Sequence, residues 1–554
     1  MGIATLIRFI FGNMAGVWFP WREQFDDALL VRYANIRGYY LEGKLPYNMV
    51  MQKEMSFPLL LNLSARVGLS YVNAVCLLWV LAALTGAIFI WRMFGKKYIF
   101  LVTSYIFMLF APVAFDSWCG TRFYRNTILA PAYLLVISLL LLVTWRIYED
   151  GWEYNAGTIL VTSLLLAISF VFAFYIKEDG LWLLMCILAA WAFWLLEHLF
   201  LLWRHVDKFP KMILRMCILL LPLILWFGSS KAYKKINEKT FGVAESNIRT
   251  EGELGDFLAN IYRIKSDDRT TAIWAPKDAI EKAFEASETL RKNQALKESI
   301  YHSLWLQGDI DSNPLYGDRL GWVMMSSVFD SQTATTPAEM QSYLAKVNAE
   351  LEEAFADGRL EKDDKIQLTS GMGGRNLDEI KALWPYIEDQ YIVHLKCGGY
   401  IAGAQAQDAI EDQELYKLAE KYSGSSMEAH GEKVRTNQVL NLYFKVWSRI
   451  QPPLFYLDLI FVPLAFLYAL FLCLRKRTGS GRIAMIALLN LAVLMLSFVY
   501  ALAIGWFVEF TCIGGDYTNI KFYSCGIVAM IVLAEWMGIS LCYTMLSGRK
   551  VEQK

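Results

Sequence analysis

Two adjacent carboxylates, Asp26 and Asp27, open a helix-like stretch within "EQFDDALLVRYANIRGYYLEGKLPYN", just after a short apolar N-terminus. Lys53 follows in the same loop. Further on come Arg122 and Arg125, three residues apart in "TRFYRN", and then "KEDG", which starts at Lys177 and contains Glu178 and Asp179. These residue types suit one chemistry. A carboxylate takes the proton of an attacking hydroxyl as general base. Guanidinium groups clamp phosphate oxygens with paired bonds. At membrane level, where unpaired charge is costly, such a set fits a substrate that is part lipid and part phosphate. Each residue also has a plainer reading. One aspartate can cap its helix and favour the positive end of the dipole. The arginines can reach up to headgroups or pair with Asp116 and Glu178. Asp179 reads as the cap of the next apolar helix, with Glu178 favouring its dipole. In a functional reading Glu178 lies near the bound substrate or a divalent cation (Mg2+ or Mn2+), since hard cations favour clustered carboxylates. Asp516, preceded by Gly514 and Gly515, reads as a turn residue.

The elements that must position these groups follow from hydropathy and period. Leu29, Tyr33, Ile36 and Tyr40 recur as one stripe of an amphipathic helix. Asp26, three residues before Leu29, points toward that stripe, whereas Asp27 is turned off it by about 100°. The stretch is too polar to cross a bilayer, so it is expected to lie along the membrane surface.

The chain is 56% hydrophobic and only 19% charged, below the roughly one quarter of a soluble domain. Runs of about 20 apolar residues mark it as an integral membrane protein. The clearest runs are Tyr71–Ile90, Ile99–Phe115, Thr127–Trp145, Thr158–Ile176, Leu181–Trp203, Met212–Gly228, Leu454–Leu474, Ile483–Val508 and Tyr523–Leu546. Met1–Phe19 lacks a basic start and a small-residue exit, so it is expected to be a retained first span. The expected fold is therefore an α-helical multi-pass membrane protein of about ten transmembrane helices. Basic clusters at Arg92–Lys97, Arg204–Lys211, Arg475–Arg482 and Arg549–Lys550 then fall on one side, which places the N-terminus in the cytoplasm.

This topology sends the loop 20–70 and a polar insert outward. The expected division is an N-terminal membrane module (1–228, spans one to seven), an extracytoplasmic, mostly helical domain (229–453) between spans seven and eight, and a C-terminal membrane module (454–554). Within the insert, "TTPAEMQSYLAKVNAELEEAFADGRL" carries Thr336 as N-cap, Pro337 at the first helical position, Glu339 for a capping box and Gly358 past the end. "APKDAIEKAFEASETL" reads as a second helix. Lys+Arg and Asp+Glu both total 53, and no basic face is apparent, so no nucleic-acid partner is indicated. The nine cysteines include no CxxC pair, and no histidines sit at metal-ligand spacing. There is no G-x-S-x-G, H-E-x-x-H or Walker loop.

The order "DDALLVRYA", "EGKLPYN", "KEMSFPLLL" resembles the first outer loop of GT-C membrane glycosyltransferases, especially bacterial relatives of protein O-mannosyltransferases and aminoarabinose–lipid A transferases. Asp26, Asp27, Lys53 and Pro58 stand at matching places. The spacing departs from the family between Lys53 and Pro58, where this chain has an insertion. The resemblance covers roughly the first 200 residues and is weak over the last three spans. It implies Asp26 as catalytic base and Arg122, Arg125 and Lys53 as ligands of the donor phosphate, with Asp27, Lys177 and Glu178 supporting them. It further implies a bacterial cytoplasmic (inner) membrane, a lipid-linked sugar donor, an envelope glycan, lipid or protein as acceptor, and membrane lipids as surroundings. Two other classes stand beside it. A transporter or flippase for a lipid-linked glycan would need ionisable residues deep within spans, whereas the middle of most spans reads as uncharged, with Arg8 the main exception. A scaffold would act through its outer domain alone.

Overall fold

The computed structural model describes residues 1–19, 25–35, 45–150, 156–203, 209–303, 309–369, 371–404, 412–426, 435–475, 480–512 and 518–551. Apolar segments that cannot bond their backbone to lipid close those bonds internally as helices, and the chain follows that rule. The N-terminal part holds α1 (Gly2–Ala15), α2 (Phe25–Asn35), α3 (Ser56–Arg66), α4 (Tyr71–Met93), α5 (Tyr98–Leu109), α6 (Leu129–Asp150), α7 (Ala156–Phe174), α8 (Leu181–Trp203), α9 (Phe209–Leu219) and α10 (Leu221–Phe241). The insert adds α11 (Gly252–Arg263), α12 (Lys277–Ala286), α13 (Glu288–Arg291), α14 (Gln294–Tyr301), α15 (Arg319–Asp330), α16 (Pro337–Ala356), α17 (Leu377–Lys381), α18 (Trp384–Leu395) and α19 (Gln413–Ser423). Two antiparallel strand pairs accompany them: Ile273–Ala275 with Leu315–Tyr316, and Gly403–Ala404 with Arg435–Thr436. The chain closes with α20 (Gln438–Leu474), α21 (Ser480–Val508), α22 (Thr518–Ser524) and α23 (Ile527–Val551).

Among the described residues, seven helices are long and apolar enough to cross a membrane, and α9 with α10, bent by 46°, makes an eighth if the pair is one span. Reaching the expected ten requires α1 and α5, which at 14 and 12 residues are shorter than the ~20 that a bilayer core takes. The run Ile99–Phe115 stays helical only to Leu109. Pro112 pushes Ala111 into extended backbone (φ −54°, ψ 129°) and starts a 3-10 turn instead. Pro222 likewise starts α10 beyond the bend that divides the Met212–Gly228 run.

The expected boundaries near 229 and 453 fall inside continuous helices, α10 and α20. The insert also divides between two cores. Residues of α11–α16 pack among themselves and against Val50, Met51 and Met55 of the first loop. Leu383, just before α18, and Ile387 and Leu395 within it, with Leu415 and Leu418 of α19, join the core of the apolar helices. α16 forms as its sequence predicts: the Thr336 side chain accepts from Glu339 N at 3.2 Å, and Gly358 has φ +83°. Glu339 reaches back to Thr335 N, one residue earlier than the usual capping box. α20 runs 37 residues with Pro452, Pro453 and Pro463 inside it, about 55 Å at 1.5 Å per residue.

Candidate functional site

α2 is the wall between the two cores. Leu29 and Tyr33 are buried against the insert, and Leu30, Val31 and Ala34 against the apolar helices. The expected berth on the membrane surface is therefore corrected: both faces are covered, one of them by residues more than 200 positions later in the chain. Ile36 and Tyr40 lie outside the described residues, as does Asp516. The helical phase still separates the carboxylates. Asp26 is in line with Leu29 and Tyr33, and Asp27 with Leu30, Val31 and Ala34.

Asp27 is fully buried and accepts from Arg122 Nε at 2.9 Å and Nη2 at 2.7 Å. Burial pushes its carboxyl up, and the guanidinium opposes that. The local chain explains how Arg122 gets there. The Asp116 side chain caps the turn Ser117–Thr121 through Trp118 N and Cys119 N. Gly120 passes so close that a Cβ would stand 2.3 Å from the Val113 carbonyl oxygen. Arg122 then adopts extended backbone (φ −57°, ψ 138°), in a bridge with Trp18. Trp18, Trp118, Tyr124 and Phe522 surround its guanidinium at 5.0–5.3 Å from their ring centres. Extended backbone at Arg122 separates it from Arg125, and each meets a different carboxylate.

Arg125 starts a 3-10 turn, and its Nη1 lies 2.8 Å from Glu178 Oε2. Its Nε donates to the Tyr124 hydroxyl at 3.2 Å, which in turn donates to Asp26 Oδ2 at 3.1 Å. Lys53 Nζ reaches the same oxygen at 2.7 Å. The insert completes the set. Asn247 Nδ2 is 3.4 Å and Arg249 Nη2 3.6 Å from Glu178 Oε1, and Arg249 also pairs with Asp318 at 3.2 Å. Lys53 and Arg249 both stand 4.4 Å from the Trp322 ring centre. Lys177 lies 3.7 Å from Asp179 and 5.4 Å from the Tyr523 ring centre. Asp179 takes Lys177 and the Tyr133 hydroxyl rather than acting as the expected cap.

The electrostatics single out Asp26. Its side chain is 30% exposed while that of Lys53 is 2% exposed, so the pair presents its acidic end to a ligand. Burial would raise the Asp26 carboxyl, but Lys53, Arg125 and Arg249 outweigh it and hold the group below its ordinary value. Glu178 is held well below the carboxylate range against its own burial by Arg125, Lys53 and Arg249. Burial brings Lys53 down to about 8, opposed by Asp26. Glu54, next to Lys53 and 5% exposed, is driven well above its ordinary value by burial and by Glu178 and Glu251.

The arrangement can therefore offer a carboxylate to a hydroxyl, with Lys53 and Arg125 beside it, each buried and paired with a carboxylate. A divalent cation shared by Asp27 and Glu178 does not fit. Each is bonded to its own arginine, and among the described residues no group of three or more His, Cys, Asp or Glu converges as a metal site. Sequence reasoning missed Glu54, Tyr124, Asn247, Arg249, Asp318 and Trp322. Tyr124 stands between the two arginines of "RFYRN" and could have been singled out there. The insert residues had no motif to announce them. Compared with known proteins, the chain matches no family model, no curated protein and no solved structure.

Proposed function

We propose that the chain is a GT-C-type glycosyltransferase that moves a sugar from a polyprenyl-phosphate donor to an envelope acceptor on the outer face of a bacterial inner membrane. Asp26 accepts the proton of the acceptor hydroxyl. The hydroxyl oxygen bonds to the sugar's anomeric carbon, and the bond from that carbon to the phosphate oxygen breaks, leaving the electron pair on the polyprenyl phosphate. Lys53 and Arg125 offset the charge that develops there. Arg122 has the positioning role: its Nε and Nη2 are on Asp27, and through that pair it fixes the start of α2. The observation that carries this reading is the half-open Asp26 carboxylate, set between Lys53 Nζ and the Tyr124 hydroxyl with Arg125 one bond away.

An Asp26→Asn protein in membranes supplied with lipid-linked donors should transfer sugar about 10²–10⁴-fold more slowly while its unfolding transition stays cooperative. Transfer at the wild-type rate removes Asp26 as the base. One observation favours a second reading, a transporter for a lipid-linked glycan: beside Arg8, the buried Asp458 and Glu535 stand within apolar helices, against the expectation that the spans are nearly free of charge.

A further inference from the structure

Arg8 stands in the middle of α1 and is 1% exposed. The Phe115 ring covers one side of its guanidinium at 4.4 Å. Among the described residues no aspartate or glutamate pairs with it. The titratable groups that act on it are the Cys76 thiol and the Tyr443 phenol, and neither type carries charge at neutral pH. Arg8 Nε and Nη1 are buried without a hydrogen-bond partner. A guanidinium does not give up its proton inside a protein, so this is a buried positive charge that no described residue balances.

The same side chain lines a cavity of about 10 Å³ between α1, α4 and the turn Ser117–Thr121, room for about one water-sized body. Thr121, 6% exposed, lines it as well, and its hydroxyl also lacks a hydrogen-bond partner. Gly12 and Gly16 form the α1 wall. A Cβ on Gly12 would stand 3.3 Å from Arg8 Nη1 and 2.6 Å from Cys76 Sγ, so glycine lets the guanidinium lie along α1 beside the cavity. Tyr71 and Val72 in the opposite wall are the first two residues of α4. That is the positive end of a 23-residue helix, where N–H groups have no acceptor within the helix. Gly16 and Val72 are partly exposed and give the way in. A water in this space accepts from two of the donors and leaves the charge of Arg8 unbalanced, the costlier defect in apolar surroundings. An anion meets both needs.

We propose that Arg8 and Thr121, with the start of α4, form a binding site for one anionic atom, a chloride ion or a phosphate oxygen of a membrane lipid. The site backs onto the turn that positions Arg122, and Tyr71 in its wall donates to the Arg122 carbonyl oxygen at 2.6 Å. It holds whichever of the two functional readings is correct.

The test uses the full chain in detergent micelles, washed free of bound lipid. One arm measures equilibrium binding of radioactive chloride, with gluconate, too large for the cavity, as the balancing anion. The other adds phosphatidylglycerol, or diacylglycerol as its uncharged counterpart, and reads retained lipid by native mass spectrometry. At least one arm should approach one anion per chain. Chloride retention names a solution ion as the occupant, and retention of phosphatidylglycerol without diacylglycerol names a lipid headgroup. Arg8→Met should abolish the binding in a chain that still unfolds cooperatively, because methionine suits apolar surroundings. Thr121→Val keeps the shape, removes the hydroxyl and should weaken binding about tenfold; it decides the matter if Arg8→Met fails to fold. Retention of neither anion overturns the proposal, as does unchanged binding in a folded Arg8→Met or Thr121→Val protein.

Discussion

Asp27 takes both forks of the Arg122 guanidinium across 95 residues of chain, at 2.9 Å and 2.7 Å, with its own carboxylate shut off from solvent. One residue earlier, Asp26 shares its carboxylate with Lys53 and Tyr124 and keeps an open edge. Neighbours in sequence thus divide between fixing the helix and meeting a ligand.

The first consequence concerns stability. Removing one member of a buried pair strands the other, so Asp27→Ala or Arg122→Ala should each cost about 3–5 kcal/mol. The double substitution should cost less than the sum of the singles, because the stranded charge goes with its partner. Arg122→Lys should not restore the loss, since an ammonium cannot make the two parallel bonds. Thermal unfolding in detergent micelles measures all four proteins.

A second prediction uses the cations around Asp26. Lys53 is the leading influence holding the Asp26 carboxyl below its ordinary value. Lys53→Met should therefore raise that value, and the acid limb of kcat/KM for sugar transfer should move to higher pH. An acid limb that stays in place would show that another group sets it.

Glu54 gives a third, with the opposite sign to Asp26. Its folded value is raised, so the folded state holds a proton that the unfolded chain releases above about pH 4.3. Stability falls as pH rises from there toward the folded value. Glu54→Gln removes that fall, so it should raise the unfolding temperature at pH 7, and the advantage should vanish near pH 4. Asp26 and Glu178, whose folded values are lowered, contribute stability that is present above about pH 4 and lost as pH falls through those values.

Features decided by neighbours in sequence were legible. Thr336 and Pro337 start α16 because caps act within one turn. The different directions of Asp26 and Asp27 follow from helical phase alone. What the sequence hid depended on distant chain. The polar look of α2 suggested an exposed shelf, but its covering residues come from the insert. The extended backbone at Arg122 depends on its bridge with Trp18, which no spacing in "TRFYRN" reveals. Asp458 and Glu535 passed unnoticed because a long apolar run outweighs one carboxylate when hydropathy is averaged. Their significance lies in three helices meeting at one point, which is a property of packing.

α20 is a single rod that leaves the insert, passes Asp458 and continues through the apolar bundle. A helix is stiff along its axis and about its own twist except where its internal bonds are missing, and Pro452 and Pro453 remove two of them close together, just before Asp458. α20 therefore flexes most easily in the turn just before Asp458. A displacement of the insert is carried into the apolar bundle through that one turn, with no loop between them.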